Sequence, residues 1–345
     1  MQTSGRIALL TACAGLASIA VAAQKDFELT IPQTSLSVAA VASEEPAPAA
    51  KGVSPKATFA FGNERFHDDE EIWWPGFLSG LRGFEHFYEP VGNPLYFETP
   101  FNNTSLRFLY LHHGFDDDSQ LQGGTLNVAA LQIRVALTER LGLIATKDGY
   151  SWLDAGALPE ADGWNALAAG AKYAFYVDRE TDTVATAGLR WMIDSGEAKV
   201  LQGGVHELSP FFSFAKGWDR FHLVGNLTYR IPTDNDDGNQ VLQWSLHTDY
   251  EFFPETLKGF APFLELHGLH YLSDGERTPL SVGGADYTNL GSTDVSGSTV
   301  IWLGAGARWK FSPHASVGAA FEYPLTNRKA DIFGHRVTVD FMLTW

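Results

Sequence analysis

From residue 103 to the end of the chain, apolar and polar residues alternate in short runs divided by turn-rich breaks. A period of two places successive side chains on opposite faces of a strand. The last run is the clearest: Val337, Val339, Phe341, Leu343 and Trp345 share one face, and Arg336, Thr338, Asp340 and Thr344 share the other. The pattern predicts twelve strands, at 103–115, 126–137, 140–147, 165–178, 182–193, 208–216, 219–231, 241–253, 260–272, 298–311, 315–325 and 333–345. The breaks after the even-numbered strands are short: Thr138-Glu139, Asp178 to Thr181, Lys216-Gly217-Trp218, Pro254 to Gly259 and Ser312-Pro313-His314. Those after the odd-numbered strands are mostly longer and rich in Asp, Gly and Asn; the longest runs from Ser273 to Gly297. An even strand count with short turns at one end and long loops at the other fits a transmembrane up-and-down β-barrel. A soluble sandwich has no reason to alternate its gap lengths.

Several strands sort into two faces. Leu242, Trp244, Leu246, Tyr250 and Phe252 oppose Gln243, Ser245, His247, Asp249 and Glu251; Phe221, Leu223, Leu227, Tyr229 and Ile231 oppose His222, Asn226, Thr228 and Arg230. In a sandwich the polar faces would point to water, whereas in a membrane barrel they point into the lumen. On the barrel reading, the charged lumen set is Arg107, Arg134, Lys172, Arg190 and Arg230 on the first seven strands. The last five add Asp249, Glu251, Glu265, Arg308, Lys310, Glu322, Arg336 and Asp340, with the polar His247 and His267 between them. One wall is thus expected to be basic, with every acid on the other. Two consequences are open: a transverse field across a narrow passage, or paired charges that fill the lumen. Trp244, Trp309 and the terminal Trp345 are expected at the membrane interface, where aromatic side chains collect. A terminal aromatic is also the usual feature read by barrel-insertion machinery.

The start of the chain has a different character. Residues 1–23 carry one charge, Arg6, followed by a small and apolar run from Ile7 to Ala23, with acceptable cleavage sites near residues 22–23. This pattern predicts a secretory signal peptide, with a retained amino-terminal anchor as the minor alternative. Leu10-Thr11-Ala12-Cys13 also matches a lipoprotein cleavage box, but only four apolar residues precede it. Cys13 is the only cysteine, so the mature chain would have no disulfide and no thiolate chemistry. Removing this segment leaves 23 basic residues against 41 acidic ones, which argues against nucleic acid as a partner. Past residue 23 no apolar run is long enough for a membrane helix, so any crossing must be made by strands. Residues 24–56 lack large apolar side chains and read as a disordered linker. Residues 57–101 are aromatic-rich, with a short helix predicted from Phe77 to Phe87. They are too few for a separate domain and are expected to pack at or inside the barrel entrance, a free periplasmic tail being the alternative. The barrel itself would occupy 102–345.

Catalytic and metal constellations are sparse. The histidines have no His-Glu-x-x-His spacing, and outward His270 and His335 have no evident serine partner for a lipid-facing hydrolase. His247 and His267, beside Asp249 and Glu265, allow a metal site on adjacent strands, with polar lumen packing the plainer reading. Asp116-Asp117-Asp118 and Thr233 to Gly238 resemble cation loops, yet the second lacks the full EF-hand pattern and its terminal Glu. No catalytic residue, metal ligand or cofactor is assigned, and the chain is read as a non-enzyme.

Four segments carry a resemblance: Pro90-Val91-Gly92-Asn93-Pro94-Leu95-Tyr96-Phe97-Glu98-Thr99-Pro100, Ala145-Thr146-Lys147-Asp148-Gly149-Tyr150, His270-Tyr271-Leu272-Ser273-Asp274-Gly275 and Glu322-Tyr323-Pro324-Leu325-Thr326. Together they resemble a family of uncharacterised outer-membrane barrels, similar to the meta-pathway phenol-degradation or transporter-like group, over roughly residues 88–345. The resemblance implies no catalytic residues and gives weak support to passage of small organic compounds, aromatic ones included. The aromatic-rich segment with Trp152, Trp164 and Trp218 would then be candidates to line the route, although interface belts use the same residues. The expectation is an all-β, outer-membrane barrel of a Gram-negative-type cell that passes small solutes, hydrophobic or aromatic ones included. Its partners would be outer-membrane lipid, lipopolysaccharide, the barrel-assembly machinery and the solute itself. The alternative is a non-transporting structural or adhesive barrel whose loops bind lipopolysaccharide or a partner.

Overall fold

The computed structural model describes residues 76–326 and 331–345; the segments read as signal peptide and linker and the first part of the aromatic-rich segment lie outside the described residues. The strands are β1 (Ser105–Gly114), β2 (Gly124–Ala136), β3 (Leu141–Lys147), β4 (Tyr150–Ala155), β5 (Ala161–Trp164), β6 (Ala168–Asp178) and β7 (Thr183–Met192). They continue with β8 (Glu207–Trp218), β9 (Phe221–Pro232), β10 (Val241–Tyr250), β11 (Phe260–Tyr271), β12 (Thr299–Ser312), β13 (Ala315–Pro324) and β14 (His335–Thr344). Each pairs antiparallel with its neighbours, and β1 meets both β2 and β14, so the sheet closes on itself. Closure begins at Ser105 opposite Thr344 and continues to Gly114 opposite His335. Among the described strands only short β5, paired with β4 alone, lacks a second ladder partner; the rest of the wall has none of the open edges that a membrane-spanning sheet must avoid.

The fourteen segments make twelve positions around the wall. β2 pairs with β3 over Ile133–Ala136 and with β4 over Gly124–Ala129, while β6 lies against β3 and β5 against β4. The third and fourth wall strands are therefore longer than the sequence pattern suggests, and both are interrupted. The third runs on past 147 to Ala155, and the fourth begins at Ala161 instead of 165. The break at Asp148-Gly149, where Gly149 has φ +98°, spoils the period-two pattern that would have revealed the continuation. Its backbone groups remain satisfied: Leu131 N–H donates to Asp148 Oδ1 at 2.9 Å, Asn165 N–H to the Gly149 carbonyl at 2.9 Å, and the Asn165 amide to the Asp148 carbonyl at 3.0 Å. A smaller correction concerns the sixth strand, which continues through Trp218, so that Asp219 and Arg220 make the turn.

The predicted helix from Phe77 to Phe87 is absent; these residues form turns. Gly76, Leu78, Gly80 and Gly83 all have positive φ, and Leu78 and Leu81 donate their N–H groups to Ala136 and Asn102 outside the segment. Such bonds replace the i to i−4 ladder a helix needs.

One end of the barrel carries the short turns and Trp345; the other carries the long loops. Phe108, Leu143, Leu189, Leu227, Trp309 and Phe341 are among the large apolar side chains exposed on the outer wall. Trp309 and Trp345 are exposed at the turn end, and half-buried Trp244 covers Gly268 of β11. Trp152, Trp164 and Trp218 also face outward, on β4, β5 and β8, so they line no interior route. Strand parity decides this: each shares its face with the lipid-side residues of its strand.

Leu227→Arg, on the middle of an outer face, should cost about 2–4 kcal/mol in a bilayer, read from denaturant unfolding in vesicles. Asp148→Ala should cost about 1–3 kcal/mol by leaving the Leu131 N–H unsatisfied, while Asp148→Asn should recover most of it. Heat-modifiable gel migration, which reports the melting of folded barrels, checks that pair.

Candidate functional site

The site is the barrel interior, and two segments that are not wall occupy it. The first is residues 88–102, which run continuously buried before β1. At the turn end this segment is preceded by Phe84 and Phe87, packed with Phe97 and Phe101 against Ala174, Val184, Ala215 and Val224. It rises to a tip at Val91–Tyr96 and descends to Asn102, whose amide donates to the turn carbonyls of Thr138 and Glu139. The second is the long loop between β11 and β12. It enters from the opposite end and buries Val282, Ala285, Asp286 and Tyr287.

The tip is held by carboxylates. Val91 and Gly92 donate their backbone N–H groups to Glu265 at 3.0 and 2.8 Å, and Asn93 donates to Glu322 at 3.1 Å. Three successive N–H groups aimed at anions form a small nest, in which each bond is charge-assisted. Only glycine fits at position 92, since a Cβ there would sit 2.3 Å from Glu265 Oε2. The Asn93 amide donates to Ser245 Oγ, and the Gln243 amide donates to Asn93 Oδ1. Behind Glu265 runs a chain of imidazoles and carboxylates. His247 Nδ1 lies 2.8 Å from Glu265 and its Nε2 lies 3.1 Å from Asp249, which also meets His222 at 2.6 Å. With both ring nitrogens against carboxylates, His247 is placed to donate twice as an imidazolium. His267 Nε2 stands 3.4 Å from Glu265 and 3.8 Å from Glu322.

The remaining lumen charges are grouped in the same way. Arg107 and Arg308 share Asp340, at 2.5 and 2.6 Å. Arg336 bridges Glu322 and Asp286 of the long loop, both at 2.7 Å. Arg134 and Lys172 converge on Glu98 of the inserted segment, at 2.8 and 2.6 Å. Burial alone would raise the Glu98 carboxyl, but these two cations outweigh it and hold it at about 2. Arg230 meets Glu207 at 3.1 Å. Glu251 lies apart from these groups; it is half-buried beyond the end of β10 and accepts the Gly259 N–H. Lys310 reaches from β12 to the Glu85 and Phe87 carbonyls and over the Tyr88 ring.

Two expectations change here. The basic wall is not purely basic, because Glu207 at the start of β8 faces inward among the first seven strands. Its counter-ions also come from segments outside the strand pattern. Glu207, Asp286 and Tyr287 were missed as interior groups, and Tyr96 and Glu98 were placed only as part of a segment packed at or inside the entrance. Glu207 was legible, since it continues the inward phase of Ser209 and Ser213, one residue before the strand start read from the sequence. The excess of inward cations on the early strands was a further signal that carboxylates had to come from elsewhere.

Toward the loop end the inner wall turns apolar. Leu109, Leu111, Leu126, Val128, Leu153, Leu269, Val300 and Trp302 form one cluster with Leu95 and Tyr96 of the tip, Tyr287 and Leu290 of the long loop, and Phe333. On the outer wall, His270 Nδ1 lies 2.8 Å from Thr299 Oγ1 and the His335 ring stacks on Phe321. Among the described residues no group of three or more His, Cys, Asp or Glu is arranged to hold a metal ion.

No family model matches the sequence and no curated protein matches it. Among solved structures, an outer-membrane channel from Pseudomonas putida F1 is 13% identical, with 75% of this chain and 100% of that chain covered and a TM-score of 0.52. The KdgM porin in complex with disordered oligogalacturonate is 11% identical over 70% of this chain and 99% of that one, with a TM-score of 0.41. The first likeness shows the fold: a transmembrane-type β-barrel.

Glu98→Gln should cost about 3–5 kcal/mol by leaving Arg134 and Lys172 buried without a carboxylate. Glu251→Gln should stay within about 0.5 kcal/mol. Because folding lowers the Glu98 value from 4.5 to about 2, the difference between native and Glu98→Gln proteins should be full above pH 4.5 and shrink as pH falls toward 2. Denaturant midpoints across that range check both statements.

Proposed function

We propose that this protein is an outer-membrane channel for small solutes, hydrophobic and aromatic ones included, and that the inserted segment 88–102 is its gate. The observation that carries this reading is the manner in which that segment is held. It is not part of the wall, and it is held by side chains instead of ladder bonds: Glu265, Glu322, Ser245, Gln243, Gln132 and Arg190 at the tip, and the Glu98 ion pairs below it. Closed β-ladders surround it, so it can leave without opening the barrel. The apolar cluster at the loop end supports the preference for hydrophobic solutes, because a route through it offers a dry surface. The polar groups at mid-height, from Arg107 and Arg134 round to Arg336 and Asp340, would then be lumen-lining once the segment withdraws. The outer apolar wall suits outer-membrane lipid, the acidic loops would stand toward lipopolysaccharide, and insertion would proceed through the barrel-assembly machinery.

A tether tests the gate. A Cβ at position 318 would lie 2.6 Å from Val91 Cγ2, so Val91→Cys with Gly318→Cys places two sulfurs within bonding reach. Cys13 is the only native cysteine to remove. Liposome swelling with small sugars and phenolic solutes should be at background when the pair is oxidised and recover on reduction. Equal swelling in both redox states would show that the segment does not gate. Background swelling in both states, and in the native protein, would favour the structural or adhesive barrel.

A further inference from the structure

Within the lumen, one side chain of the gate is held as a ligand would be. Tyr96 projects from the tip so that the guanidinium carbon of Arg190 lies 4.0 Å from its ring centroid and that of Arg230 lies 4.3 Å away. Its hydroxyl donates to Glu207 Oε1 at 2.8 Å. All four side chains are buried, and Glu207 is fixed in turn by Arg230 and by Ser209 Oγ. Arg190 makes no ion pair with a carboxylate among the described residues. Its hydrogen-bond partners are the Leu95 carbonyl and Thr146 Oγ1, so its direct contacts come chiefly from the Leu95–Tyr96 dipeptide of the gate. When the tip withdraws, Arg190 loses the ring face and the Leu95 carbonyl together. A buried cation left in that state is costly unless another group replaces them.

We infer that Arg190, Arg230 and Glu207 form a solute-binding slot for a single aromatic ring bearing a hydroxyl group, and that Tyr96 is its tethered occupant. This deepens the channel reading and rests on it, because the slot opens only when the segment moves. The chemistry of the three wall groups sets the ligand class. Two guanidinium groups favour an electron-rich ring face, and Glu207 requires a donor. An aromatic carboxylate lying as Tyr96 lies would set its charge against Glu207. A saturated alcohol satisfies Glu207 but leaves both guanidinium groups without a π face. A solute of the right class competes with Tyr96 and so favours the open state, as a ligand does when it binds one conformation selectively.

p-Cresol is the tyrosine side chain as a free molecule and is the probe, with toluene (ring, no hydroxyl) and cyclohexanol (hydroxyl, no ring) as comparators. Titration calorimetry uses the full-length protein in detergent micelles, with folding verified by heat-modifiable migration. The native protein should bind p-cresol at least about tenfold tighter than either comparator, reflecting a charge-assisted hydrogen bond and a ring contact together. Tyr96→Phe loses the bond to Glu207 and loosens the occupant, so p-cresol affinity should rise several-fold; Tyr96→Leu serves if that variant does not fold. Adding Arg190→Leu to whichever of the two is used should reverse the gain. Equal affinity for the three probes, or a Tyr96 variant unaffected by Arg190→Leu, would overturn the slot. The readout needs no passage of solute. Selective binding with no swelling in any state of the tethered protein would therefore sink the channel and leave the slot standing, and swelling without selective binding would do the reverse.

Discussion

Charge neutrality inside the lumen ties the wall to the segments that fill it. Arg134 and Lys172 project inward from β2 and β6, and the carboxylate that compensates both is Glu98, which belongs to no strand. Arg336 of β14 divides itself between Glu322 on the wall and Asp286 in the long loop. A buried cation without a partner is expensive, so the wall and its two insertions stabilise one another. The inserted segment is therefore specified by the same charges that would line the proposed passage.

Closure makes this arrangement possible. Because every wall strand except short β5 is paired on both sides, the barrel depends little on its contents for backbone hydrogen bonds. The contents can then be held by directed side-chain contacts. The carboxylate nest at Val91, Gly92 and Asn93 is one such contact, and the hold on Tyr96 by Arg190, Arg230 and Glu207 is another. Both are polar and reversible, unlike the ladders around them. The breaks in the third and fourth wall strands fit the same logic, since side chains of Asp148 and Asn165 replace the ladder bonds lost there.

Most of the wall was legible because lipid on one side and a polar lumen on the other impose a strict period of two. Where that rule weakened, the reading weakened as well. Leu109, Leu111, Leu126 and Leu153 face inward near the loop end, so strands there are apolar on both faces and parity gives no contrast. At Asp148-Gly149 the phase is interrupted, and the continuation to Ala155 read as loop. Trp152 and Trp164 were left between the passage and an interface belt, and the strands that carry them turn both outward.

The sequence by itself determined the strand count, the closing role of the last strand and most of the charges on the inner face of the strands, because these follow from local alternation and gap length. What occupies the lumen was decided only in three dimensions. No local pattern brings Glu98 to Arg134, Asp286 to Arg336 or Tyr96 to Arg190, since each pair joins a strand to a segment that has no period of its own. Those partners are selected by proximity across a closed barrel and by the cost of leaving a buried charge alone.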